Sequence, residues 1–149
     1  MTALTIRAAL PADEKSWRAL WAGYCQFYGV SLAEDITDRT WKRILDPESS
    51  VMCLIAEVEG QVYGFANCVV HEATWEIQPV CYLEDLFVMP SARGRGIGGA
   101  MIEWLRNAMR AEGWSRLYWI TRQGNEAARR LYDRHAATDD TVRYMIRKT

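Results

Sequence analysis

Only two histidines, four prolines and four cysteines occur in the 149 residues, and the charges almost cancel, 18 Lys and Arg against 19 Asp and Glu. Each scarcity excludes something. His71 and His135 stand alone, and Cys25, Cys53, Cys68 and Cys81 are widely spaced with no C-x-x-C pairing. No metal site is therefore expected, and the cysteines read as buried free thiols. A net charge of −1 argues against general nucleic-acid binding, which draws on a basic surplus to displace counterions from phosphates. No run approaches the roughly 18 consecutive apolar residues of a membrane span. The first residues, Met1 to Arg7, lack the basic and apolar regions of a signal peptide. A cytoplasmic protein with no membrane and no nucleic-acid partner is expected. No Gly-Lys-Ser/Thr is present, so a P-loop is excluded.

What is present is a chain half hydrophobic and a quarter charged, enough for one domain over residues 1–149 that folds without a staple. Leu4 to Arg7 reads as a strand, and Asp13 as the N-cap of an amphipathic helix carrying Trp17, Leu20, Trp21 and Tyr24 to about Tyr28. A weaker helix is expected over Asp38 to Leu45. Val51 to Val58 and Gln61 to Val70, separated by Glu59 and Gly60, read as an antiparallel hairpin, and Val80 to Val88 as a third strand stopped by Pro90. Beyond it come a helix over Ile97 to Glu112, a strand over Arg116 to Thr121, a helix over Glu126 to His135 and a last strand over Thr141 to Lys148. The strand, helix, strand order from Val80 to Thr121 implies one parallel pair beside the antiparallel hairpin. The fold class is therefore α/β, a mixed sheet with helices on both faces.

The most informative segment is the strand-to-helix junction Arg93, Gly94, Arg95, Gly96, Ile97, Gly98, Gly99. Glycines let the backbone turn and approach a ligand, and the first N–H groups of the helix have no internal partner. With two arginines beside them they suit a phosphate or pyrophosphate. Two patterns fit. Gly94, Gly96 and Gly99 satisfy the dinucleotide fingerprint G-x-G-x-x-G, although Arg122 follows the next strand where a ribose-binding Asp or Glu is usual. Arg93, Gly96 and Gly98 satisfy R-x-x-G-x-G/A.

Through this second pattern the sequence resembles the GNAT superfamily of N-acetyltransferases. Tyr82 to Val88 (YLEDLFV) is similar to that family's fourth strand, and Asn125, Ala128, Leu131 and Tyr132 match its later N-x-x-A-x-x-L-Y element. The stretch Tyr82 to Met89 looks most like the diamine (spermidine/spermine) and yeast Hpa-type acetyltransferases. The resemblance implies the GNAT fold, a mostly antiparallel central sheet with one parallel pair, and acetyl-CoA as co-substrate without a metal. It also implies a small cationic amine as acceptor, acetylated by direct attack in a ternary complex, and a homodimer. The pantetheine arm would bond the backbone of Leu86, Phe87 and Val88. Tyr132 would protonate the leaving thiolate, a task that suits a phenol with a reference pKa of about 10. Asn125 would cap its helix or touch the cofactor beside Ala128. Glu84 is the expected base and Asp85 its competitor, with strand alternation pointing them to opposite faces. Trp21, Tyr24, Tyr28 and Trp75 are candidates to enclose a cationic acceptor, and Glu34, Asp35 and Asp38 to attract it. A dinucleotide-dependent oxidoreductase and a catalytically silent acyl-CoA-binding module are the competing readings.

Overall fold

The computed structural model describes residues 3–148. Five strands lie in the order of the sequence: β1 (Leu4–Ala8), β2 (Val51–Val58), β3 (Gln61–His71), β4 (Val80–Val88) and β5 (Leu117–Tyr118). The first four pair antiparallel, and β5 pairs parallel to β4. Helices α1 (Glu14–Phe27) and α2 (Glu34–Leu45) precede the hairpin, α3 (Ile97–Glu112) forms the β4–β5 crossover, and α4 (Glu126–Asp133) follows β5. The expected mixed sheet with one parallel pair is present, and the helices cover both faces.

Strand alternation divides the core. On one face Leu54, Ala56, Ala66, Cys68, Cys81 and Leu83 pack with Met101, Ile102 and Leu105 of α3. On the other, Cys53, Ile55, Phe65 and Phe87 pack with Trp17, Leu20 and Trp21 of α1 and Trp41 of α2. Trp17 is fully buried and packs against Trp21, Trp41 and Phe65, with ring centroids 5.2–6.2 Å apart. Cys53, Cys68 and Cys81 are buried free thiols, and Cys25 is half-buried.

Leu83 belongs to the α3 face and Phe87 to the α1 face, although four residues of regular strand would keep them on one side. The pairing shows why. Asn67 opposes Asp85 and Cys68 opposes Leu83, so Glu84 is an extra residue without a partner on β3. Such a bulge bends its strand and ends simple alternation. The expectation that alternation alone would place Glu84 and Asp85 on opposite faces is thereby corrected.

Beyond shifts of one or two residues, three elements differ from the sequence reading. The second helix starts at Glu34, one turn before Asp38, with Glu34 and Asp35 in its first turn, where the helix dipole favours acidic groups. The strand expected over Arg116 to Thr121 shrinks to Leu117–Tyr118, because β4 bends away after Tyr82 and leaves the rest unpaired. The final strand expected over Thr141 to Lys148 is absent. These residues alternate as a strand would, yet no neighbouring strand pairs with them and every one is exposed. Asp13 stands at the start of α1, but its carboxylate is not a side-chain cap for that helix. It binds Arg7 Nη1 and Nη2 at 2.7 and 2.9 Å and accepts from the Leu10 N–H at 2.7 Å.

Candidate active site

The parting of β4 from β5 creates the principal cavity. Only Cys81 with Leu117 and Tyr82 with Tyr118 are paired, so the later half of β4 has no β5 neighbour. A cleft of about 810 Å³ opens there. Its lining includes Leu86, Phe87 and Val88 of β4, Arg93, Gly94, Gly96, Ile97, Gly98 and Gly99 of the glycine-rich turn, and Asn125, Ala128 and Tyr132 around α4. Residues far apart in sequence, singled out for one purpose, thus converge. Of the cofactor and acid–base candidates, Arg95, Glu84 and Asp85 stand outside that lining.

The turn divides its labour among its glycines. Gly94 and Gly96 adopt φ of 79° and 80°, a left-handed geometry costly for residues with a Cβ. Gly98 and Gly99 serve packing instead: a Cβ on Gly98 would meet Leu131 at 3.0 Å, and one on Gly99 would meet His135 Nε2 at 3.1 Å. They let α4 lie close against the first turn of α3. Ala100 N–H donates to Gly96 O, so the N–H groups of Ile97, Gly98 and Gly99 precede the first intrahelical bond and remain donors at the positive end of the helix. Arg93 does not simply point at the cleft. Its Nε donates to Val88 O at 2.9 Å, and its guanidinium lies 5.4 and 5.2 Å from the Phe27 and Phe87 ring centroids. It braces the end of α1 against the end of β4 while still lining the cavity.

Tyr132 sits on the inward side of α4, edge-on to Trp119 at 5.5 Å. Burial, reinforced by the neighbouring Tyr28 phenol, pushes its pKa up to about 12. It is a proton donor throughout the neutral range. Asn125 caps α4, its Oδ1 accepting from Ala128 N–H at 3.4 Å while its Nδ2 reaches Thr121 Oγ1.

The two carboxylates lie on β4 just before the cleft lining begins. Asp85 is held by a relay: Trp17 Nε1 donates to Asn67 Oδ1 at 3.4 Å, and Asn67 Nδ2 donates to Asp85 Oδ2 at 3.2 Å. Burial raises its pKa, while the hydrogen bonds from Tyr24 and Asn67 act in the opposite direction. Glu84 reaches solvent but is hemmed in closely enough that partial desolvation, then the Asp85 charge, raises its carboxyl as well.

Of the residues proposed to enclose a cation, only Tyr28 lines the cleft. Trp21 stacks between Trp17 and Tyr24 in the core, and Trp75 stands 94% exposed in the β3–β4 loop. Glu34 and Asp38 are bound to Arg18 at 3.2 and 2.8 Å. Phe27, Arg130, Arg134 and His135 line the cavity without having been singled out. Arg130 lies within the recognised N-x-x-A-x-x-L-Y stretch and Arg134 and His135 follow it, a helical spacing that was the available signal. Among the described residues no group of three His, Cys, Asp or Glu side chains could hold a metal ion, and no helix is long and apolar enough to cross a membrane.

The family described as Acetyltransferase (GNAT) matches residues 15–137. The chain belongs to that family and is an N-acetyltransferase. It is 31% identical over 143 residues to the D-amino-acid N-acetyltransferase HPA3 of Saccharomyces cerevisiae, covering 95% of this chain and 89% of that protein. The ribosomal-protein-alanine N-acetyltransferase of Brucella melitensis superposes with a TM-score of 0.80 at 25% identity, over 98% of this chain and all of that one. The aminoglycoside N-acetyltransferase AAC(6')-Iy in complex with CoA gives 0.82 at 22% identity, over 99% and 97%.

Proposed function

We propose that residues 1–149 form one N-acetyltransferase domain that moves the acetyl group of acetyl-CoA to a small cationic primary amine by direct attack in a ternary complex. The observation that carries this reading is the single cleft in which the free edge of β4, the open N-terminus of α3 and the half-buried Tyr132 phenol meet. The residues fit the co-substrate. Free helix donors with Arg93 at the rim suit a pyrophosphate, and the unpaired β4 edge at Leu86, Phe87 and Val88 suits an amide-bearing arm.

In the reaction the amine nitrogen bonds to the acetyl carbon as the carbon–sulfur bond breaks. Tyr132 gives its hydroxyl proton to the departing thiolate. Glu84 takes the ammonium proton, by way of water because it stands outside the cleft lining. Glu84 rather than Asp85 suits this role because the Asp85 oxygens are already engaged by Asn67 and Tyr24. Tyr28, at the α1 side of the cleft, offers its ring to the acceptor. Support for amine acceptors comes from the relatives, whose own acceptors are a D-amino acid, a protein alanine and an aminoglycoside. We further propose a cytoplasmic homodimer without a metal.

An oxidoreductase reading fits poorly, because the sheet runs in sequence order and is mostly antiparallel, with only one parallel pair. Thermal shift decides between the two. At 100 times its Kd a ligand stabilises by about 2.7 kcal/mol, so CoA should raise the melting temperature and NAD should not. An amine panel with acetyl-CoA, spanning polyamines, amino acids of both hands, aminoglycosides and a lysine-rich peptide, identifies the acceptor. Release of CoA without an acetylated amine in every arm would sink the proposed transfer.

A further inference from the structure

Arg7, Arg18, Arg106 and Arg116 each hold an acidic side chain, at 2.7 to 3.1 Å. Arg122, in the segment between β5 and α4, is placed differently. Its guanidinium lies 5.9 Å from the centroid of the Tyr28 ring, its side chain is exposed, and no carboxylate among the described residues pairs with it. Arg122 stands outside the cleft lining, but Tyr28 belongs to it, so the guanidinium sits at the rim on the α1 side. A row of side chains leads from there to the carboxylates of β4. The Tyr28 and Tyr24 ring centroids are 4.8 Å apart, and the Tyr24 hydroxyl donates to Asp85, which follows Glu84. The row therefore has acid at one end and a guanidinium at the other. This polarity bears on the acceptor. The Tyr28 ring already faces one cation, so an acceptor that brought only further positive charge would meet repulsion there. An acceptor that carries its own carboxylate turns the same guanidinium into a partner.

We propose that Arg122 binds the carboxylate of the acceptor, so that the amine acetylated belongs to an amino acid and not to a polyamine. A planar guanidinium accepts both oxygens of a carboxylate at once, which fixes the orientation of the acceptor as well as its charge. With the carboxylate at Arg122, the ammonium is directed inward, toward the thioester and the β4 acids. The carboxylate takes no part in the chemistry. The amine nitrogen still bonds to the acetyl carbon as the carbon–sulfur bond breaks, its proton still leaves by water toward Glu84, and Tyr132 still protonates the thiolate. Arg122 thus determines specificity without touching the reacting atoms. This inference rests on the acetyl-transfer reading above and narrows its acceptor class.

Acceptors matched in everything but the carboxyl group test it. Amino acids of both hands with small, aliphatic, aromatic and basic side chains, each paired with its own carboxamide, are compared with spermidine by initial rates with acetyl-CoA. Rates are expressed per free amine, so that the lower basicity of the amides does not enter. The wild type should favour its best amino acid over the matching amide by about 10- to 100-fold in kcat/KM, mostly through KM, the usual worth of hydrogen bonds to a charged group. It should also favour that amino acid over spermidine. Arg122→Gln should abolish the preference for acid over amide and leave the rate with the amide unchanged. Arg122→Lys should restore part of the preference, and Arg122→Glu should turn it toward spermidine. These variants keep the fold, because the side chain is exposed and the turn is held by the Asn125 N–H donating to the Arg122 backbone carbonyl at 3.0 Å. A wild type that prefers the amides or spermidine, or a preference that survives Arg122→Gln, overturns the carboxylate site alone. If no arm yields an acetylated amine, the acetyl-transfer reading falls and this inference with it.

Discussion

Desolvation decides what the key side chains can do. A phenol pushed up to about 12 by burial keeps its proton through the neutral and mildly alkaline range, so there Tyr132 can donate but cannot act as a resting base. Tyr132→Phe should lower kcat by about 10²- to 10⁴-fold, the usual worth of a positioned acid, while leaving the Kd for CoA within a few-fold of wild type. Initial rates combined with calorimetric titration separate these effects; equal loss of both would reassign Tyr132 to binding. The carboxylates shift in the other direction of usefulness. Both Glu84 and Asp85 are raised above their ordinary values, so the acid limb of kcat/KM should lie above about pH 4.3, with activity falling as pH drops through it. Glu84→Gln should abolish that limb and leave a much lower rate that rises with the free-amine fraction. Asp85→Asn should preserve it. The opposite pattern would exchange the two roles. The sequence offered Glu84 with Asp85 as its competitor, but not the relay that engages Asp85, because its hydrogen bonds through Asn67 and Trp17 span 18 and 50 residues of chain.

At the scale of elements, the site depends on close approach. Gly64 on β3 opposes Val88, and a Cβ there would stand 3.0 Å from the Phe87 carbonyl oxygen. A backbone atom cannot swing aside as a side chain can. Gly64→Ala should therefore destabilise by about 1–3 kcal/mol and disturb the β4 edge, raising KM for acetyl-CoA. Gly98→Ala meets only the flexible end of Leu131, and denaturant melts should show a smaller loss than for Gly64→Ala. Most helices and long strands were legible from periodicity, and the meeting of the glycine turn with α4 was implied by the family resemblance. Two features were not. The role of Gly98 and Gly99 depends on which helix packs over them, and the missing last strand depends on whether a neighbour exists to pair with it. Local alternation reports the capacity to form a strand, while a strand needs an edge.

For the whole molecule, charge pairing links the fold to pH. Asp13 is buried and holds Arg7, which also reaches Glu57 at 3.2 Å, tying the start of α1 to β1 and β2. The hydrogen bond to the Arg7 guanidinium, the largest cause, holds the Asp13 carboxyl below its ordinary value. A carboxyl depressed in the folded state stabilises fully above its unfolded value, about pH 3.9, and that contribution is lost as pH falls through the folded value. Urea melts should therefore show Asp13→Asn destabilised by about 1–3 kcal/mol at pH 7, with the gap to wild type closing toward pH 3. A constant gap across that range would assign the loss to packing rather than ionisation.

The extra residue in β4 makes that strand legible in two frames, one before Glu84 that serves the α3 core and one after it that serves the α1 core. Chemistry and the course of the backbone therefore meet at a single position. Exchanging the side chain of Glu84 alters what the site can do to a proton. Removing the residue would leave Leu83 and Phe87 three positions apart in an unbroken strand, on the opposite faces they already occupy, and would take away only the bend that the bulge supplies just ahead of the cleft.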